Sequence, residues 1–318
     1  MAPPPRVAVA TSGGRDSTAL LHCTLAQARP LGVEVWALHV HHGLMPEADA
    51  WQAQVHRQAR RWGAQVATER LQGAPAKGDS VEAWARQGRY TALARLAKAA
   101  GCGLVLLAHH RRDQAETWLL QALRGAGSAG LSAMPRQAQR DGLLWARPWL
   151  DQPPEAIAAY ARAHRLRFVQ DPSNTDPRFA RGRLRGPVWP ALQAAFPQVD
   201  TVLAMAARHA QAAQALADEV AAADLALVQQ GEALRLAPWR ALTPARRANA
   251  LRAWLAQQLG QGAPQTLVDR LLAEAPAGVA PAHWPAPGAR VQRRRGELRV
   301  RPDDDRRVAP TGPRQRPL

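Results

Sequence analysis

Cysteine is nearly absent: Cys23 and Cys102 are the only two in 318 residues, and they stand far apart. Such a pair forms neither a disulfide framework nor a CxxC metal knuckle, which excludes a small secreted scaffold and a thiolate-held zinc ribbon. Lysine is as scarce, occurring only at Lys77 and Lys98, so arginine supplies all but two of the 42 cationic residues. No apolar run approaches the roughly 18 residues of a membrane span; the strongest, Leu104-Val105-Leu106-Leu107-Ala108, has the length of a strand. The opening Met1-Ala2-Pro3-Pro4-Pro5-Arg6 has no apolar stretch to read as a secretory signal. A soluble, cytoplasmic protein with no membrane partner is the expectation.

The 42 cationic residues face only 25 acidic ones, a formal net charge of +17. A GC-rich genome would write arginine for lysine, but it would not leave 17 charges uncompensated. The planar guanidinium suits phosphate and stacks on bases, so the excess points to a polyanionic partner, nucleic acid first. With 47% hydrophobic and 21% charged residues the chain is otherwise an ordinary globular one. Its length exceeds what one hydrophobic core usually organises, so two domains are expected.

From Arg6 to about Arg124 short apolar runs alternate with helical stretches. Strands are expected over 7–10, 34–40, 65–70 and 103–108, and helices over 16–27, 48–62, 81–100 and 113–124. This alternation predicts an α/β fold, a doubly wound parallel sheet with helices on both faces. Ligands of such sheets sit beyond the carboxyl ends of the strands, which places 11–17, 39–43 and 109–113 on one rim. Beyond the glycine-rich 125–130 the pattern turns helical. A helical insertion, a long Ala-rich connecting helix and a small, mostly helical C-terminal domain are expected. The corresponding boundaries are 1–198 for the catalytic domain, 199–224 for the connector, 225–302 for the small domain and 303–318 for a disordered tail.

Ser12-Gly13-Gly14-Arg15-Asp16-Ser17 follows the first strand and opens a helix. Two glycines let the backbone turn sharply and approach a ligand, and the helix start offers free N–H groups to an anion. The plainer reading is a tight turn in which Asp16 caps the helix. The loop has neither the Walker pattern nor GxGxxG. An acid inside an anion loop would repel phosphate, so Asp16 implies Mg²⁺ between itself and a nucleotide.

Ser-Gly-Gly-x-Asp-Ser after a first strand resembles the PP-loop of the N-type ATP pyrophosphatases, which cleave ATP to AMP and pyrophosphate. Further stretches are similar to one branch, the bacterial tRNA(Ile)-lysidine synthetases. They are His39-Val40-His41-His42-Gly43-Leu44, Ala85 to Tyr90, Ala108-His109-His110-Arg111-Arg112-Asp113-Gln114-Ala115-Glu116-Thr117, Arg124-Gly125-Ala126-Gly127, Arg147-Pro148-Trp149-Leu150, and Asp171-Pro172-Ser173-Asn174 leading to Arg181-Gly182-Arg183-Leu184-Arg185. The resemblance covers about 6–195 in order, and more weakly 232–275. Two departures stand out: Arg112 where many members carry the first of two acids, and Gly182 where an Asn is usual. The chain also lacks the second C-terminal domain of longer members and so resembles the short form.

The resemblance implies ATP and Mg²⁺ as cofactors, free L-lysine and the CAU-anticodon tRNA(Ile) as partners, and ligation of lysine to the wobble cytidine. Ser12, Gly13, Gly14, Arg15, Asp16 and Ser17 are then ATP-binding, with Asp16 the metal ligand and His39 a nucleotide-side contact. Arg89 is expected to stabilise phosphate charge, although its spacing alone reads as a surface residue of an amphipathic helix. His109, Asp113 and Glu116 are the remaining catalytic candidates. Asp113 and Glu116 share a helix face and can converge on a metal or on the cationic end of lysine, whereas Asp113 alone reads equally as a helix cap.

His39, His41 and His42 do not read as a zinc site, because a strand puts His42 on the opposite face from the other two. Arg178, Arg181, Arg183 and Arg185 have no balancing acid after Asp176 in the local sequence and are expected to contact the tRNA backbone. Arg290, Arg293, Arg294 and Arg295, with Arg246, Arg247 and Arg252, are further candidates. The rival readings are a PP-loop tRNA thiolase, which needs paired cysteines, a small-molecule amidotransferase-type ligase, and a non-catalytic RNA-binding module. The oligomeric state is open, a homodimer included.

Overall fold

A computed structural model describes residues 4–41, 43, 47–73, 81–170, 176–276 and 281–303, without the side chains of 81–83. The chain divides into two compact units, Met1–Gln211 and Ala212–Leu318. The division falls inside the helix Val199–Val228, all but the last four residues of which were expected to be the connector.

Four short apolar runs become the parallel strands β1 (Arg6–Ala10), β2 (Glu34–His41), β3 (Gln65–Arg70) and β4 (Leu104–Leu106). The helices α1 (Arg15–Ala28), α2 (Ala48–Trp62) and α3 (Val81–Ala99) cross between them. Strand alternation decides the two faces. Val7, Val9, Val35 and Ala37 pack with Leu20 and Leu21 of α1 and Ala59 of α2. Ala8, Leu38, Val40 and Val105 pack with Leu93 and Ala97 of α3. Helices therefore cover both faces, as a buried parallel sheet requires.

The insertion after helix α4 (Arg111–Ala122) is less helical than expected. After the short α5 (Ser128–Leu131) the chain makes a hairpin of β5 (Gln137–Arg140) and β6 (Leu143–Ala146). The first unit's sheet thus has six strands in the order β3-β2-β1-β4-β6-β5, with only β5 antiparallel. The reason is local: Asp141 and Gly142 both take positive φ, 56° and 75°, which is the backbone of a two-residue hairpin turn. Trp145 of β6 then fills the core at 1% exposure. Helix α6 (Pro154–Ala163) packs Ile157 and Ala161 against Ala19 of α1. Helix α7 (Ala180–Arg183) widens into a π-helical turn over Leu184–Val188 and continues as α8 (Trp189–Ala195), then α9 (Val199–Val228).

The sequence pattern of the second unit predicts one hairpin, at 289–301; that hairpin forms, and the sheet extends beyond it. Helices α10 (Leu236–Ala241), α11 (Pro244–Leu259) and α12 (Gln265–Glu274) accompany strands β7 (Gln229–Gln230), β8 (Ala233–Arg235), β9 (Ala282–Ala286), β10 (Ala289–Arg294) and β11 (Glu297–Pro302). The five strands form an antiparallel sheet in the order β7-β8-β11-β10-β9. β9 lies inside a Pro/Gly-rich stretch, 275–288. It is an edge strand, where Pro285 is tolerated because one side of the ladder needs no N–H. Trp239, Trp254 and Trp284 anchor this unit's core, and each indole N–H finds an acceptor: Arg247 O, Glu232 O and the Glu274 carboxylate.

Candidate active site

Because β1, β2 and β4 run parallel, the segments leaving their carboxyl ends meet on one edge. Gly13 takes φ 89°, and a Cβ there would stand 3.1 Å from Val55 Cγ2, so the turn demands glycine twice over. The Gly13 carbonyl accepts from Val169 N at 2.8 Å and Thr18 Oγ1 at 3.2 Å, pinning the loop from outside. Inside it, Ser17 Oγ lies 3.1 Å from Ser12 Oγ and accepts from Ser12 N at 3.2 Å. Gly14 is the residue before α1 and makes no side-chain cap. The first-turn N–H groups of α1 therefore remain available to an anion.

The next strand contributes His39. Its Nδ1–H donates to the Thr11 carbonyl at 2.8 Å, and burial pushes its pKa below 6.5, so the ring is neutral. His39 thus braces the entry to the loop. His41 is buried, with Nδ1 accepting from Gly43 N at 3.1 Å; His42 lies outside the described residues. Among the described residues no group of three or more His, Cys, Asp or Glu side chains could hold a metal ion.

Helix α4 brings the acids. His110 caps it reciprocally: its Nδ1 accepts from Asp113 N at 3.4 Å, and Asp113 Oδ2 accepts from His110 N at 3.0 Å. Asp113 is thus the cap partner that local sequence suggests, and more besides. His110 Nε2 lies 3.4 Å from Asp113 Oδ2 and 3.7 Å from Asp16 Oδ2, which joins the loop to α4. Burial alone would depress the His110 pKa, but the Asp16, Asp113 and Glu116 carboxylates outweigh it and hold it above 6.5. Asp16 is held below its ordinary value despite burial, by hydrogen bonds from His110 and Arg15. His110 was not among the expected site residues; its signal was only its place beside His109.

His109 itself is neutral, its pKa pushed down to about 3 by burial, and its Nδ1 has no hydrogen-bond partner among the described residues. Asp113 and the fully buried Glu116 converge as expected, and what they hold is a guanidinium. Arg185 donates from Nη2 to Asp113 Oδ1 and from Nε to Glu116 Oε1, both at 2.8 Å. Arg181 Nε stands 3.4 Å from Glu116 Oε2 outside hydrogen-bond geometry, and neither atom has a hydrogen bond among the described residues.

The reading of four arginines without balancing acids is therefore corrected. Arg181 and Arg185 are balanced by acids about 70 positions earlier in the chain, and Arg178 by Asp176 next to it. A local window could not reveal the first two. Arg178 and Arg183 are the exposed members. Arg89 is an exposed residue of α3, so its transition-state role stays a proposal. Arg293 is also reassigned: it is buried and donates to the Glu274 and Ala275 carbonyls at 3.1 Å, closing the end of α12.

Residues 2–192 match the model of the PP-loop domain, and residues 234–299 that of the TilS substrate binding domain. The chain is 47% identical over 262 residues to the tRNA(Ile)-lysidine synthase of Bordetella pertussis, covering 80% of this chain and 81% of that one. The chain belongs to the tRNA(Ile)-lysidine synthase family. A second member, from Ralstonia nicotianae, is 46% identical over 298 residues, which are 92% of this chain and 64% of that protein. A solved structure of the U34-tRNA thiolase NcsA from Methanococcus maripaludis superposes with a TM-score of 0.56 over 64% of this chain and 71% of that one. At 13% identity that likeness concerns the fold alone.

The residues at 112 and 182, singled out in the sequence, each have a structural reason here. A Cβ on Gly182 would lie 1.9 Å from the Asp176 carbonyl oxygen, so no side chain fits. Arg112 is paired with Asp200 at 2.9 Å and Glu155 at 3.3 Å. Asp16, its side chain 30% exposed at the helix start, would give Mg²⁺ one carboxylate oxygen, while the helix N–H groups beside it would meet phosphate oxygens that complete the ion's shell.

Proposed function

We propose that this chain ligates L-lysine to the wobble cytidine of the CAU-anticodon tRNA(Ile), consuming ATP and releasing AMP and pyrophosphate. The observation that carries this is the Asp16–His110–Asp113 bridge, which sets a phosphate-binding loop against a carboxylate pair already holding a cation. In the first step the 2-carbonyl oxygen of the cytosine attacks the α-phosphate and pyrophosphate leaves. The amine of lysine then adds at the ring carbon and displaces AMP. The oxygen is a poor leaving group by itself, and adenylation makes it a good one.

The loop N–H groups and Ser12 and Ser17 hold the phosphates in line. Asp16 would hold a Mg²⁺ ion, which would supply charge neutralisation to the phosphates. Asp113 and Glu116 hold a guanidinium in the resting protein, so they are chemically suited to receive the ammonium of lysine. Arg183 offers exposed charge to the tRNA backbone, Arg178 would exchange Asp176 for a phosphate there, and Arg89 is assigned to the nucleotide phosphates. No helix among the described residues is long and apolar enough to cross a membrane, in keeping with a cytoplasmic role beside tRNA.

The thiolase reading finds no support in the chain's own thiols. Two cysteines cannot build a cluster, and burial pushes the Cys102 thiol up to about 11, which leaves it a poor nucleophile. The test is direct. Purified protein, ATP, labelled lysine and either CAU isoleucine tRNA or methionine tRNA with the same anticodon are incubated. Label should join the isoleucine tRNA alone, with one AMP per lysine. Label in neither tRNA, or equally in both, would refute the proposal.

A further inference from the structure

Arg112 lies on α4 between His110 and Asp113, yet it points away from both. Its Nε donates to Asp200 Oδ2 at 2.9 Å and its Nη2 to Glu155 Oε1 at 3.3 Å. Asp200, at the start of α9, also accepts from Trp189 Nε1 at 3.1 Å through its other oxygen. Trp189 opens α8, directly after the π-helical turn that carries Arg185. One carboxylate thus ties the helix bearing Asp113 and Glu116 to the segment bearing Arg181 and Arg185. Neighbouring Arg111 reinforces the tie, donating to Thr201 Oγ1 at 3.2 Å and to the Asp151 carbonyl. Beneath this polar seam Ala115, Leu184, Trp189 and Val199 form a shared apolar cluster.

We propose that Arg112 is a positioning residue, acting through Asp200 and Trp189 to set the spacing between the acid pair Asp113/Glu116 and the guanidinium pair Arg181/Arg185. The seam is largely shielded, with the Arg112 and Asp200 side chains 26% and 15% exposed, so the charge-assisted bond is not dissipated by solvent as an exterior ion pair would be. An acid at 112 would face Asp200 and Glu155, and three carboxylates would push α4 off its neighbour. The positioning matters wherever the acid pair must exchange Arg185 for an incoming ammonium, so the inference rests on the lysine-ligation reading.

The experiment compares the Michaelis constants for lysine and for ATP in wild type, Arg112→Lys, Arg112→Asp, Trp189→Phe and the swap Arg112→Asp/Asp200→Arg. Loss of active fraction lowers kcat but leaves a Michaelis constant unchanged, so the constant isolates positioning from folding. Arg112→Asp should raise the lysine constant about tenfold or more, while Trp189→Phe and Arg112→Lys, which each lose part of the fork, should raise it about threefold. The ATP constant should change several-fold less than the lysine constant in each variant, because the loop keeps its anchors at Val169 and Thr18 even where its His110 bridge to α4 is disturbed. The swap should recover only part of the loss, because arginine at 200 restores the ion pair with residue 112 but cannot accept from Trp189 Nε1. An unchanged lysine constant in Trp189→Phe and Arg112→Lys, or a swap no better than Arg112→Asp, overturns the inference. A wild-type protein that attaches no lysine refutes the functional reading by itself, before any variant is compared.

Discussion

Each unit of this protein buries one carboxylate completely against arginine, and the two pairs serve different ends. Asp224 in the second unit is fully buried and takes both Nε and Nη2 of Arg246. Glu116 in the first unit is equally buried but meets two arginines, one well and one badly, and keeps an oxygen without a hydrogen bond among the described residues. Around it stand His110, Asp113 and Asp16, all with perturbed protonation. A satisfied pair is a fastener. An unfinished one among other ionisable groups retains capacity for a ligand, which is why perturbed groups gather at functional sites.

The largest effect is expected next to that unfinished pair. Asp16→Ala should cut pyrophosphate release about 1,000-fold or more, because nothing then holds the cation over the phosphates. Retention of tRNA on a filter should barely change, and persistent turnover would remove the metal argument. Glu116→Gln should lower turnover about 100-fold, whereas Arg246→Ala should leave kcat near wild type and lower the melting temperature by about 5 °C. Equal effects of the two on turnover would abolish the contrast between fastener and site.

His109 sharpens the comparison through pH. Its pKa is 6.5 when exposed and about 3 in the fold, so between those values the unfolded chain binds the extra proton and stability falls as pH falls. Melting temperatures from pH 7 to 5 should therefore decline more steeply for wild type than for His109→Gln, by about 3 °C per pH unit. Parallel curves would show that the imidazole is not held neutral. The smallest effect belongs to exposed Arg183: Arg183→Ala should raise the tRNA Michaelis constant about threefold and reduce the salt slope by about one. An unchanged slope would take Arg183 out of the footprint.

Much of the first unit was legible in advance because its signals are local. The strand at 65–70 and the helix at 48–62 coincide with β3 and α2, and the Ser12–Ser17 turn stands where the strand–helix boundary put it. Elements whose cues conflict with their neighbours were missed: the β5–β6 hairpin, whose Asp-Gly turn sits among polar residues, and β9, whose Pro285 argued against a strand. The site was legible only in part. Asp113 and Glu116 could be paired by helix spacing, but their partner Arg185 lies 72 and 69 positions away. No window of the chain contains both ends.

Periodicity and the Gly-Gly turn by themselves determined that this chain builds a parallel sheet and turns a glycine loop onto its edge, and the charge excess is what pointed to a polyanion. Only the tertiary structure decided which arginines remain exposed, that His110 rather than His109 bridges the loop to α4, and why glycine occupies position 182. The reason is physical. Backbone preferences act over a few residues, whereas a charge is neutralised by whatever group folding brings within a few ångströms, however distant along the chain.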